Sequence, residues 1–341
     1  MAAKHYVIIG NGVAGNAAAA VIRERDAGGR ITIVSLGALL FYDRYRLPEV
    51  IEGQTDWRRF LVHPPAYYED SRIVVRRRCR VAQVDPARHL LTLGHREEMT
   101  YDALLVASGG RGHLPMALSE FAPLLERFDS YRQAMAVAAA LGADGGVVML
   151  GGDIQGIAVA RKLAAAGHRV TLVPSDHLFW PHRVAFEAYP RYLAALGQMG
   201  IEVVEGGAVE RIEATGEVGR RVVMEDGRTY DGKVVMPYYG LAPALDFMAG
   251  SGVDTERGLL VNPELRTTDE SIWAAGDVCQ IWSAEENAYR FYYGWTNVKA
   301  MGETAAGNMT GGGETFHTFL DERLAVTEAG ALHSSFWDYE R

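Results

Sequence analysis

An apolar run that breaks on three spaced glycines constrains this chain more than any other stretch. Tyr6-Val7-Ile8-Ile9 leads straight into Gly10-Asn11-Gly12-Val13-Ala14-Gly15, and an Ala-rich helical pattern follows at once. Strand, tight turn and helix in that order are the context in which G-x-G-x-x-G reads as a dinucleotide-binding turn. Gly10 permits the sharp turn, Gly12 lets backbone approach a pyrophosphate, and Gly15 lets helix and strand pack closely. Val13 and Ala14 open the helix, whose free N–H groups and dipole favour an anion. The same order recurs mid-chain: Val147-Val148-Met149-Leu150, then Gly151-Gly152-Asp153-Ile154-Gln155-Gly156, a helical run over 157–166 and a strand over 170–173. An internal duplication of this kind predicts an α/β fold of two Rossmann-like nucleotide-binding units.

The 341 residues suffice for about two domains. A net charge of −9 argues against nucleic acid or an anionic membrane as the main partner. Arg76-Arg77-Arg78 reads as a solvated strand edge. No secretory signal is expected, since the first strand begins almost at Met1, and no window is apolar enough for a membrane span. The two cysteines, Cys79 and Cys279, are too far apart in sequence for a C-x-x-C dithiol. With no Cys-ligated cluster and no metal spacing among ten histidines, no metal site is expected and the setting reads as cytoplasmic. Cys79 falls within an expected strand, and Cys279 reads as small-residue packing.

Several local features refine the site. A second strand over 30–35 ends in Ser35-Leu36-Gly37, without the acid that usually takes ribose hydroxyls there, and Asp43 comes too late. The loop 41–48 is aromatic and basic and enters a short helix near Glu49. Residues 73–93 read as antiparallel strands around an Asp85-Pro86 turn. A buried strand then reaches Ala107-Ser108-Gly109, a linker over 109–123 follows, and a helix is expected over 130–141. In the second turn Asp153 replaces the middle glycine, placing a Cβ and a negative charge where a pyrophosphate would approach. Between like charges this costs on the order of 1 kcal/mol even in water. Its second strand ends Pro174-Ser175-Asp176. Late in the chain Ala274-Ala275-Gly276-Asp277 is shaped to hold a polyol, with Gly276 admitting it and Asp277 accepting a hydroxyl hydrogen bond. A last helix is expected over 294–309, then a glycine run and a short tail.

Taken in order, these four motifs resemble the FAD-dependent pyridine nucleotide–disulfide oxidoreductases, nearest the branch of NADH:rubredoxin reductases and nitrite reductase flavin domains. The resemblance covers roughly residues 5–311. It implies an FAD domain made of residues 1–112 and 251–311, an inserted NAD(P)H-type domain of 113–250, and a tail of 312–341. By position it implies that Gly10, Gly12 and Gly15, with Val13 and Ala14, hold the FAD pyrophosphate, and that Ser35 and the backbone of Val81 lie on the adenosine side. Ala107, Ser108, Gly109 and Arg111 would line that side too. Arg44 and Pro48 would lie beside the flavin ring, Gly276 and Asp277 at the ribityl chain, and Trp295 near the ring. Arg44 would be the catalytic residue, stabilising the reduced ring. Gly37 departs from the ribose-binding Glu, and Asp153, Ala158 and Pro174 depart on the NAD(P)H side, which counts against a nicotinamide dinucleotide there.

The resulting expectation is a cytoplasmic FAD electron-transfer flavoprotein that exchanges electrons with a redox protein partner, as a subunit of a complex. Two alternatives stay open: a free-standing NAD(P)H:acceptor oxidoreductase and a non-catalytic scaffold subunit. The aromatic cluster Trp282, Tyr289, Phe291, Tyr292, Tyr293 and Trp295 reads equally as core or as a docking face. The tail aromatics Phe316, Phe319, Phe336 and Trp337 suggest a partner surface.

Overall fold

The chain is described by a computed structural model over residues 3–142, 145–216, 219–318 and 324–337. Two parallel sheets organise it. The first runs in the order Ile272–Ala274, Ala103–Val106, His5–Ile9, Arg30–Val34 and Ile73–Arg76, and so draws strands from both halves of the chain. Ile8 pairs with Ile33 on one side and Leu105 on the other. The central strand is buried along its whole length, as a sheet covered on both faces requires. The second sheet runs Ile201–Val203, Val170–Pro174, Val147–Gly151 and Val234–Tyr238. A three-stranded antiparallel sheet accompanies each: Val81–Asp85, Leu90–Leu93 and Glu98–Thr100 beside the first, Val209–Thr215, Gly219–Met224 and Thr229–Gly232 beside the second. The expected α/β duplication is therefore present, down to its antiparallel appendage. A short ribbon, Gly110–Gly112 paired with Leu241–Pro243, joins the two segments that cross between the sheets.

Small residues set the helix packing. Helix Val13–Arg25 lies against helix Trp295–Met309, and a Cβ on Gly302 would fall 2.3 Å from the Ala14 carbonyl oxygen. The backbones touch there, which carries residues near the chain end onto the first glycine turn.

Three expectations change. Residues 73–93 are not one antiparallel unit: Ile73–Arg76 joins the parallel sheet as its edge strand beside Arg30–Val34, and antiparallel pairing starts at Val81. Alternation of apolar residues is common to both arrangements, so it could not separate them. Cys79 consequently lies between strands, half-buried, with its amide bonded to the Ser35 carbonyl. Arg76 does sit on the edge strand, paired with Glu97.

The tail also finds its surface on its own chain. Hairpin Leu324–Val326/Leu332–Ser334 rests on helix Tyr189–Gln198, whose Tyr192 hydroxyl donates to the Leu324 carbonyl. Phe336 is buried against His182, and Phe316 is buried against Tyr292. Phe319 lies outside the described residues. The late aromatic cluster is half-buried and self-packed, with Trp282 on Tyr289 and Phe291 on Tyr293, while Trp295 joins the core.

Because the clash at Gly302 is with backbone, no side chain can yield. Gly302→Val is expected to destabilise the protein by about 2–3 kcal/mol or more, read as a lowered urea midpoint. The same substitution at Gly313, where a Cβ meets nothing, should leave the midpoint within about 0.5 kcal/mol.

Candidate functional site

Strand order places a crevice at the carboxyl ends of the first sheet. His5–Ile9 has Arg30–Val34 on one side and Ala103–Val106 on the other, so the chain leaves neighbouring strands in opposite directions and opens a gap where a dinucleotide can lie. Gly10 closes the strand at φ +122°, and a Cβ there would lie 2.0 Å from the Ala107 carbonyl oxygen. At Gly15 a Cβ would lie 2.2 Å from the Gly10 carbonyl oxygen. Gly12 differs: nothing lies within 4 Å of its Cβ direction. Of the three, Gly12 alone faces open space.

That space has the chemistry of an anion site. Helix Val13–Arg25 has Gly12 as its N-cap, no capping side chain and no acid in its first turn. Among the described residues, the amides of Val13 and Ala14 have no hydrogen-bond partner. Buried Asn16 braces the turn by donating to the Gly12 carbonyl at 2.9 Å and to Asn11 Oδ1 at 3.0 Å, and it accepts from the Tyr68 hydroxyl at 2.8 Å. Sequence reasoning missed Asn16; its one signal is an amide on the buried face of an Ala-rich helix.

Around the crevice, Gly276 (φ +85°) turns the chain after Ile272–Ala274 and presents Asp277. Among the described residues the Asp277 carboxylate makes no hydrogen bond. Burial pushes it up to about 6, with the Arg44 cation pulling the other way. Arg44 is exposed, its guanidinium 5.8 Å from the centre of the Tyr42 ring. It opens the 3-10 helix Arg44–Val50, which contains buried Pro48 and is capped by buried Asp43, whose side chain accepts from the Tyr45 amide. Phe41 stacks on Trp295 at 5.8 Å and Tyr45 meets it edge-on at 6.1 Å. Burial and the charges of Asp277 and Asp43 hold the Tyr45 phenol well above its usual range. Tyr45 and Phe41 belong with the site through these ring contacts, which the sequence of the aromatic loop 41–48 does not reveal.

The other expected residues divide. Ser35 ends its strand at the crevice, with its hydroxyl accepting from the Gly37 amide at 3.1 Å. Cys79 and Arg78 amides bond to the Ser35 and Gly37 carbonyls, which sets buried Val81 near that rim. Ala107 and the Ser108 amide face Gly10, with Gly109 (φ +69°) following them, but the Ser108 hydroxyl donates to the Ala244 carbonyl at 2.7 Å. Arg111 lies on the crossing ribbon, paired with Asp246 at 2.8 Å on the surface. Cys279 is fully buried, its Sγ 3.4 Å from the Gly276 carbonyl, and burial pushes the thiol up.

The second glycine turn repeats the frame of the first. Gly151 has φ +96° and a Cβ there would fall 2.1 Å from the Tyr238 carbonyl oxygen. Asp153, buried and serving as N-cap of helix Ile154–Ala165, accepts from the Gly156 and Gly240 amides at 2.8 Å each.

Comparison with known proteins gives these geometries a context. A family model described as "Pyridine nucleotide-disulphide oxidoreductase" matches residues 4–298. The NADH-dependent phenylglyoxylate dehydrogenase subunit epsilon of Aromatoleum evansii is 26% identical over 270 residues, 79% of this chain and 64% of that protein. The biphenyl dioxygenase system ferredoxin–NAD(+) reductase component of Paraburkholderia xenovorans is 28% identical over 308 residues, 89% of this chain and 74% of its own. Among solved structures, the covalent putidaredoxin reductase–putidaredoxin complex superposes with a TM-score of 0.84 at 22% identity, covering 95% of this chain and 78% of that one. NADH:rubredoxin oxidoreductase from Clostridium acetobutylicum gives 0.76 at 21% identity, covering 96% and 80%. Both structures share the fold.

Two measurements follow from the geometry. Gly12 has φ −104°, open to any residue. Gly12→Val should therefore cost only about 1 kcal/mol as a poorer N-cap while lowering dinucleotide retention about 100-fold or more, read by cofactor content after gel filtration. Gly10→Ala should unfold at clearly lower urea because its Cβ strikes backbone. Asp277 supplies the pH test. Its native value of about 6 exceeds the unfolded value of about 4, so the native state binds the extra proton. The stability this confers is complete below about pH 4 and is lost as pH rises through about 6. Asp277→Asn in the cofactor-free protein should thus be more stable than the parent at pH 7, by on the order of 1–3 kcal/mol, with the difference shrinking toward pH 4.

Proposed function

Because this chain belongs to the pyridine nucleotide-disulphide oxidoreductase family, we propose that it is an FAD-dependent electron-transfer flavoprotein whose redox partner is a protein. The observation that carries this reading is the first crevice, where unpartnered helix amides, an open Gly12 and the unpartnered Asp277 carboxylate converge on one gap. The donor set suits FAD: amides for a pyrophosphate, a carboxylate for ribityl hydroxyls, and an aromatic and cationic wall for a ring.

In this reading residues 1–112 with 251–311 form the FAD domain, 113–250 the NAD(P)H-type domain and 312–341 a tail. The amides of Gly12, Val13 and Ala14 hold the pyrophosphate, helped by the helix dipole. Gly10 and Gly15 keep the strand and helix close enough for those amides to converge. Ser35, Val81 and Ala107–Gly109 bound the adenosine end, with Arg111 at its rim. Asp277 accepts from polyol hydroxyls, for which it must be ionised. Arg44 holds a cation where negative charge accumulates on reduction, and Pro48 and Trp295 exclude water from that side. When bound, FAD supplies a centre that takes two electrons and releases them one at a time.

Nothing in the chain offers a dithiol relay: Cys279 is buried and bonded to Gly276, and Cys79 is tied to the Ser35 loop. Electrons must then pass directly between the ring and an outside molecule. The relative named as a ferredoxin–NAD(+) reductase component supports a protein in that place. No described helix is long and apolar enough to cross a membrane, and a cytoplasmic setting fits the free thiols.

The test is anaerobic. The purified chain should show an oxidised flavin spectrum and, once reduced with dithionite and desalted, should deliver electrons to an oxidised ferredoxin in a stopped-flow trace. Arg44→Ala should retain FAD yet transfer roughly tenfold more slowly or worse. A colourless protein that takes up no added FAD would sink the reading.

A further inference from the structure

The two glycine turns are built alike and differ in one respect: the second has no donor left to offer. The Asp153 amide bonds to the Tyr238 carbonyl at 3.2 Å and the Ile154 amide to the Trp180 carbonyl at 2.9 Å. The Gly156 amide bonds to the Asp153 carboxylate at 2.8 Å, and the Gln155 amide also points to it. Every amide from residue 153 to 156 is therefore taken, where the first turn leaves Val13 and Ala14 open. The carboxylate's other oxygen accepts from the Gly240 amide at 2.8 Å, so a single side chain ties the helix start to the loop beyond Val234–Tyr238. An acid at a helix N-terminus is what the dipole favours. Here the chain supplies that anion itself.

The chain also covers the turn. After Val170–Pro174 it folds back, with the Ser175 amide on the Gly151 carbonyl and the Phe179 amide on the Gly152 carbonyl. The Trp180 ring lies about where a Cβ on Gly240 would make contact, 3.0 Å away, and meets Tyr293 of the other half at 4.8 Å. The Trp337 indole nitrogen is 3.4 Å from the Ile154 carbonyl, with the Arg161 guanidinium 4.2 Å from the ring centre.

We propose that Asp153 is a specificity-determining residue that takes the place of a dinucleotide pyrophosphate, so that the second unit excludes NADH and NADPH. Resting on the flavoprotein reading above, this leaves the nicotinamide dinucleotides out as direct reductants of the flavin in this chain. A pyrophosphate entering the second turn would have to break the bonds to Gly156 and Gly240 and stand beside a carboxylate, with no free amide to receive it. Burial pushes Asp153 up to about 6, so it is an anion at the pH of the test below.

The experiment uses the flavin-loaded full chain at pH 7.5 and titrates NADH, NADPH and ADP-ribose by calorimetry. The unmodified protein is expected to bind each with a Kd above about 1 mM. Asp153→Gly removes the lock, and Asp153→Ser keeps a capping hydroxyl but removes the charge. Either is expected to bind ADP-ribose at least about tenfold tighter. The serine variant decides the matter should the glycine variant not fold. A Kd at or below about 1 mM for any of the three with the unmodified protein overturns the proposal. So does the absence of a gain in both variants. Failure of the flavoprotein reading would show separately, as no transfer from dithionite-reduced protein to ferredoxin.

Discussion

The structure depends on a close backbone approach at Gly10. Three strands of the first sheet end together there, and the turn passes so near the Ala107 carbonyl that no Cβ fits. This contact fixes where helix Val13–Arg25 begins, and Gly15 holds the helix against the same turn. The free amides at its start follow from that geometry rather than from any polar side chain. Asp277 reaches the crevice from the end of strand Ile272–Ala274, and Trp295 because Gly302 lets the last helix touch the first.

Duplication makes the effect of one residue visible. Both turns have a positive-φ glycine pressed on a neighbouring strand's carbonyl, Gly10 on Ala107 and Gly151 on Tyr238. Both end in a glycine where strand, turn and helix crowd together. Between them the N-cap is Gly12 in one copy and Asp153 in the other. A glycine N-cap leaves donors for a ligand, whereas an aspartate N-cap stabilises the helix by satisfying them. The same fold can thus carry an anion site or a self-sufficient helix start.

The two carboxylates also show how environment decides use. Burial raises both Asp153 and Asp277 to about 6. Asp153 is compensated by backbone amides and is committed to structure. Among the described residues Asp277 accepts no hydrogen bond and feels the Arg44 cation, which leaves its acceptor capacity for something that enters the crevice. Asp277 is half-buried, so its carboxylate stays within reach of a ligand that enters the crevice.

Much of this was legible in the chain. Period, glycine spacing and β-branched runs determined the two strand–turn–helix units, because hydrophobic periodicity and glycine's lack of a Cβ act locally. The residues at Gly10, Gly12, Gly15, Gly276 and Asp277 stood out for the same reason. Tertiary structure alone decided what is non-local. It put Ile73–Arg76 into the parallel sheet, turned Asp153 onto Gly156 and Gly240, bonded Ser108 to Ala244, and laid the tail on the chain's own second half. Asn16 and Tyr45 joined the site only through packing. Local steric rules are written residue by residue, but the partner of a side chain depends on which distant segments the closed sheets bring beside it.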